Sequence, residues 1–161
     1  MSEKSFGRRP THCFLSTFKL KNYGFALGER RIGKASKRHH PSSFFRLKSP
    51  QVVEYEFRGH FGHPSSYAFV KFECLPATHL TFEAKATWPS TLTEEYIRSC
   101  EVSIAAAVAD VLLQGEYPRR GCSVVLSEVR WDDIGGSAHA FRRAATAAME
   151  NLVKGKGEWS A

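Results

Sequence analysis

Two histidines flank a phenylalanine in a glycine-bracketed run, Gly59-His60-Phe61-Gly62-His63. Imidazole and phenyl rings stack on nucleobases, and glycines let the backbone approach phosphate. The same run also makes an ordinary hairpin turn with solvated histidines. Gly135-Gly136-Ser137 precedes a segment of helical spacing. Free N–H groups at such a helix start can hold an anion, although a plain serine cap is the commoner use. Arg142-Arg143 and Arg119-Arg120 can contact phosphate or form solvated faces, and Trp131 can be a stacking platform or part of a core.

Nucleophiles and metal ligands are poorly arranged. Cys13, Cys74, Cys100 and Cys122 are scattered, without a CxxC pair or Cys/His zinc spacing, and read as reduced thiols. Cys13 beside His12, and Asp132 beside Asp133, lack a third group at a recognisable spacing. No G-x-x-x-x-G-K-[ST] phosphate loop occurs. The expectation is a chain that is not an enzyme and uses no metal, nucleotide or other cofactor.

The net charge of +7 conceals an asymmetry. Residues 1–50 hold 12 Lys/Arg against 2 Asp/Glu, and residues 51–161 hold 11 against 14. A basic arm on a mildly acidic body suits a nucleic-acid binder, because Lys and Arg displace counterions from phosphate. The other reading is a solvated tail. Arg30, Arg31, Lys34, Lys37 and Arg38 form the densest part of the arm, among breakers that predict a mobile segment. Phe14, Phe18, Leu20, Tyr23, Phe25 and Leu27 could form a short strand or pack on the body. Ser49-Pro50 closes the arm, giving an arm over 1–50 and a domain over 51–161. No apolar run is long enough to span a bilayer or to follow the charged N-terminus as an export signal, so the expected location is the cytoplasm.

Beyond the arm, period-two alternation predicts strands at Val53–Phe57, about Tyr67–Leu75 and about Leu80–Trp88. A helix follows, capped by Thr91 or Thr93 and ended near Gly115. A fourth strand spans about Ser123–Trp131, with Val125, Val129 and Trp131 set against Val124, Leu126 and Arg130. A second helix starts at Ser137, carries a stripe of Phe141, Ala144 or Ala145, Ala148 and Leu152, and stops at Gly155. The order βββαβα predicts an α+β domain, a four-stranded sheet with two helices on one face.

That order and four short runs resemble the fourth domain of elongation factor G, from about Val52 to the end. The runs are Gly59-His60-Phe61-Gly62-His63, Thr93-Glu94-Glu95-Tyr96-Ile97, Gly115 with Gly121-Cys122-Ser123-Val124, and Ser137 through Ala145. Ser123 stands where the family has proline, and Asp132 where its second loop usually has histidine. The resemblance implies a left-handed β-α-β crossover, and two loops together at a tip that approaches messenger and transfer RNA on the ribosome. Carried over, the tip residues are Arg58, Gly59, His60, Phe61, Gly62, His63, Arg130, Trp131 and Gly136. The acidic pair Asp132-Asp133 is unfavourable beside phosphate.

The reading taken forward is a non-enzymatic module binding the ribosome or a structured RNA, with no membrane or nucleotide partner. Two alternatives stay open. One is a protein-interaction domain derived from an elongation factor, and the other is a small enzyme on the same fold, which would require a deep pocket with convergent polar groups.

Overall fold

The computed structural model describes residues 16–18, 44–59, 66–114 and 118–161. Along these run β1 (Ser16–Phe18), β2 (Arg46–Leu47), β3 (Gln51–Gly59), β4 (Ser66–Pro76), β5 (Thr81–Ala84), α1 (Glu94–Leu113), β6 (Cys122–Arg130), α2 (Ala138–Asn151) and β7 (Trp159–Ser160). The strands build a five-stranded sheet in the order β1-β5-β6-β4-β3 and a separate β2-β7 pair. β5 and β6, connected through α1, are parallel, and every other pair is antiparallel.

Alternation in the strands makes one face of the sheet apolar. Val53, Ala68, Val70, Phe72, Cys74, Phe82, Val124 and Leu126 are buried on it. Both helices cover that face and join one core with it. α1 starts where the Thr93 hydroxyl accepts the Tyr96 N–H at 3.3 Å, with Glu94 and Glu95 at the positive end of the helix dipole. It buries Cys100, Ile104, Ala107, Val108 and Leu112, at the three-to-four spacing of one helical stripe. α2 starts at Ser137, whose hydroxyl accepts the Ala140 N–H at 3.1 Å. Its buried Ala140, Ala144, Ala145 and Ala148 are small enough to let it pack closely on α1, β3 and β4 together. The α+β architecture with two helices on one face is thus the one expected. No helix among the described residues is long and apolar enough to cross a membrane.

Five details differ from expectation. β1 joins the edge of β5 as a fifth strand, with Ser16 opposite Ala84 and Phe18 opposite Phe82. β5 ends at Ala84, short of Trp88, which turns away to donate from its ring nitrogen to Glu101 on α1 at 3.0 Å. Gly155 does not stop the last helix. α2 widens into a π-helical turn, Leu152–Lys156, and Gly157 then donates to the Leu152 carbonyl at 2.8 Å.

The fourth difference lies in β6. Its pairing with β4 shifts between Lys71 and Phe72, so that Leu126 faces Phe72 while Glu128 faces Lys71, leaving Ser127 as an extra residue. An extra residue reverses the parity of a strand whose side chains alternate every two positions. Val124 and Leu126 before the bulge therefore share the helix-covered face with Val129 and Trp131 after it. Val125, Glu128 and Arg130 lie on the opposite face. The alternation expected across the whole strand holds only within each half.

The segment at 44–48, counted with the arm in the sequence, is built into the body. Leu47 is fully buried in the core. Its N–H donates to the Gly121 carbonyl at 3.1 Å, the Gly121 N–H donates to Phe45 at 3.1 Å, and Lys48 donates to Glu158 at 2.9 Å. Gly121 is needed here, since a Cβ would come within 2.7 Å of the Arg46 Cα, a backbone atom that cannot swing aside.

Candidate functional site

The β3–β4 hairpin end and the loop after β6 lie at the same end of the sheet. Gly59 pairs with Ser66, Arg130 pairs with Phe69, and the Tyr67 N–H donates to the Gly135 carbonyl at 2.9 Å. This end is the tip. His60, Phe61, Gly62 and His63 lie outside the described residues, as do Arg30, Arg31, Lys34, Lys37 and Arg38 of the arm, and Cys13 with His12.

Around the tip the expected residues divide into two groups. Trp131 and Gly136 belong to the packing beneath it. The Trp131 ring meets Tyr96 edge-on at 5.1 Å and stacks on Phe141 at 5.8 Å, with an interplanar angle of 11°. Gly136 lies so close that a Cβ would come within 2.6 Å of the Trp131 ring. Its N–H donates to the Asp132 carbonyl at 2.7 Å, and its own carbonyl accepts from the Tyr96 hydroxyl at 3.3 Å. The Gly-Gly-Ser run thus supplies a tight turn and a helix cap. Asp132 takes part in the same turn, its carboxylate accepting the Ile134 N–H at 3.5 Å.

Arg58 and Arg130 form the second group, on the face away from the helices. Arg130 lies over the Phe69 ring at 4.2 Å from its centroid, and its Nε donates to Glu128 at 3.0 Å. Arg58 lies over Tyr67 at 5.8 Å and donates from Nη2 to Glu56 at 2.8 Å. The Tyr67 hydroxyl also hydrogen-bonds the Glu56 carboxylate. Strand register explains the grouping, because Arg58 sits opposite Tyr67, and Glu56 and Arg130 sit on either side of Phe69. The Arg58 and Tyr67 hydrogen bonds hold the Glu56 carboxyl below its ordinary range. Burial, and then the bond to Glu56, push the Tyr67 hydroxyl up.

Tyr67, Phe69, Glu56 and Glu128 were not singled out in the sequence. Their signal was present in part, as two aromatic residues at alternate positions of a strand on the face opposite its small and aliphatic ones. What could not be read was which side of β6 Arg130 would take, since that depends on Ser127.

Arg142, Arg143 and Arg119 are engaged elsewhere. Arg142 pairs with Asp110 of α1 at 2.9 Å, and Arg143 lies over Phe57 at 5.2 Å. Arg119 lies over Phe45 and Trp159 at the opposite end of the sheet. Cys74, Cys100 and Cys122 are buried free thiols. The Cys122 sulfur beside it and burial push the Cys74 thiol far up, and burial pushes Cys100 to about 11, so neither is a ready thiolate. Among the described residues no group of three or more His, Cys, Asp or Glu side chains could hold a metal ion.

No protein-family model matches the chain, and no curated protein matches it. Among solved structures, a crystal structure from Thermus thermophilus is similar over 69% of this chain, with a TM-score of 0.54 and 22% identity. This chain spans 17% of the length of that one. A likeness at that identity concerns the fold.

Proposed function

We propose that this chain is a non-enzymatic RNA- or ribosome-binding module of translation, built like the fourth domain of elongation factor G. The observation that carries the reading is the union of the two loop ends by the Tyr67–Gly135 hydrogen bond, with Arg58 and Arg130 beside them. The Gly59-His60-Phe61-Gly62-His63 run leads out of that union, and a basic arm supplies charge for phosphate. On this reading the module works in the cytoplasm with structured RNA as its partner.

Sedimentation through sucrose gradients tests the proposal. The protein should travel with ribosomes or large RNA at low salt and leave them as salt rises. Protein confined to the top fractions at every salt concentration would sink the reading. Replacing Arg30, Arg31, Lys34, Lys37 and Arg38 with alanine should weaken binding to any RNA and flatten the salt dependence by about one unit for each phosphate no longer neutralised.

A protein-interaction reading has one observation of its own. β3 is the outermost strand of the sheet on its side, and beside it a groove of about 270 Å³ is lined by Tyr55, Phe57, Arg143, Thr146, Ala147 and Glu150. Capture of one defined protein that survives nuclease treatment, with no RNA bound, would favour that reading.

A further inference from the structure

From the two arginine–aromatic pairs we infer that the open sheet face behind the tip is a platform for unpaired nucleobases, so that the RNA bound there is single-stranded. The inference rests on the RNA-binding reading above and adds to it the strand type and a site on β3, β4 and β6 outside the loops.

An exposed arginine ordinarily samples many rotamers and contacts phosphate as a diffuse charge. Arg130 is held on two sides. Phe69, only 7% exposed, lies beneath its guanidinium at 4.2 Å, and Glu128 takes its Nε. Yet the Arg130 side chain is 59% exposed, so one side of the fork is turned to ring and the other to solvent. Arg58, 67% exposed, lies more loosely over Tyr67, 5.8 Å from its ring centre, with Glu56 as its anchor. A guanidinium plane fixed in this way stacks on a base as an aromatic ring does. The pairing also settles which part of RNA is favoured. Glu56 and Glu128 offset the two positive charges, which lowers the attraction for phosphate but leaves the flat, polarisable surfaces available. In duplex RNA the base faces are stacked on one another, so only unpaired bases can use them.

Neighbouring positions fit this use. Arg58 and Tyr67 are directly opposite each other, and Phe69 with Arg130 is the next pair toward β6. Two stacking surfaces therefore follow one another diagonally across three strands, beside the end of β3 from which the chain continues into His60, Phe61 and His63.

The test uses the full chain and four proteins: parent, Arg58→Lys, Arg130→Lys and the double variant. Lysine keeps the charge and removes the plane. Fluorescence anisotropy is read with a labelled single-stranded RNA of mixed sequence and with a duplex of the same length, over a range of salt. The parent should bind the single strand more tightly than the duplex. The double lysine variant should lose about tenfold in single-strand affinity with an unchanged salt slope, and its duplex binding should not move. Circular dichroism melts of the variants should match the parent, because the exchanged groups are exposed. Equal single-strand binding by parent and double lysine variant overturns the platform but leaves the RNA-binding reading standing, as does a parent that prefers duplex. A parent that binds neither RNA, and no ribosome, removes both.

Discussion

Arginine lies over aromatic rings at both ends of this sheet, with opposite consequences. At the tip, Arg130 and Arg58 cover Phe69 and Tyr67, are more than half exposed, and each bonds a glutamate. At the base, Arg119 lies 6.0 Å from the centre of Phe45 and 5.7 Å from that of Trp159, with its Nε buried and without a hydrogen-bond partner. The base arginine ties three chain segments together, and its guanidinium is spent on that. The tip arginines hold their places through one neighbouring strand and one carboxylate and keep a surface free. Similar side-chain chemistry serves closure at one end and presentation at the other, and what separates the two is how much of the fork stays in water.

Leu47→Ala should break the contrast most severely. It removes a fully buried side chain at the base and should cost about 2–5 kcal/mol in denaturant unfolding, although the residue lies in the segment assigned to the arm by sequence. Removing residues 1–43 should cost less than that single substitution if the base closes the body. Gly121→Ala should cost about 1–3 kcal/mol, since the new methyl meets the Arg46 backbone.

The smallest effect belongs to the tip and to pH. Hydrogen bonds from Arg58 and Tyr67 lower the Glu56 carboxyl from its ordinary value of 4.5. Its folded value lies below its unfolded one, so the contribution is present above that ordinary value and is lost as pH falls through the lower folded one. Side-chain NMR titration should find Glu56 below 4.5 in the parent and nearer to it in Arg58→Ala. Stability at neutral pH should barely change between the two, as exposed ion pairs contribute little.

Much of the body was legible because its signals are local. The alternation from Val53 to Phe57, the Thr93 and Ser137 caps and the alanine stripe of α2 each depend on residues within a turn or two of one another. The features that were hidden depend on distant partners. Leu47, with Phe44 and Phe45 just before it in a basic tail, shows no partner in the sequence until Gly121 and Trp159 are beside it. A short strand around Phe18 was one of two uses open in the sequence, but its pairing with β5 was not legible. Trp131 and Gly136 were open to RNA contact or to their commoner uses in a core and a helix cap, and it takes the rings of Tyr96 and Phe141 to show how they pack. In β6 two apolar runs of opposite parity meet at Ser127, which in hindsight marks a bulge, yet the pattern alone fits an uninterrupted strand with a polar position.

The pairing of β2 with β7 has a consequence for engineering. Arg46 sits opposite Ser160 and Leu47 opposite Trp159, so the two ends of the folded body lie side by side at the base, far from the tip. A short glycine-rich linker from residue 161 to residue 44 would therefore close the body into a ring. New termini could then be opened between β4 and β5, where Thr78 and His79 hydrogen-bond each other and are exposed. Such a circular permutant should keep the tip arginines in register while losing β1. The module could then be inserted into a surface loop of a carrier protein with its tip facing outward.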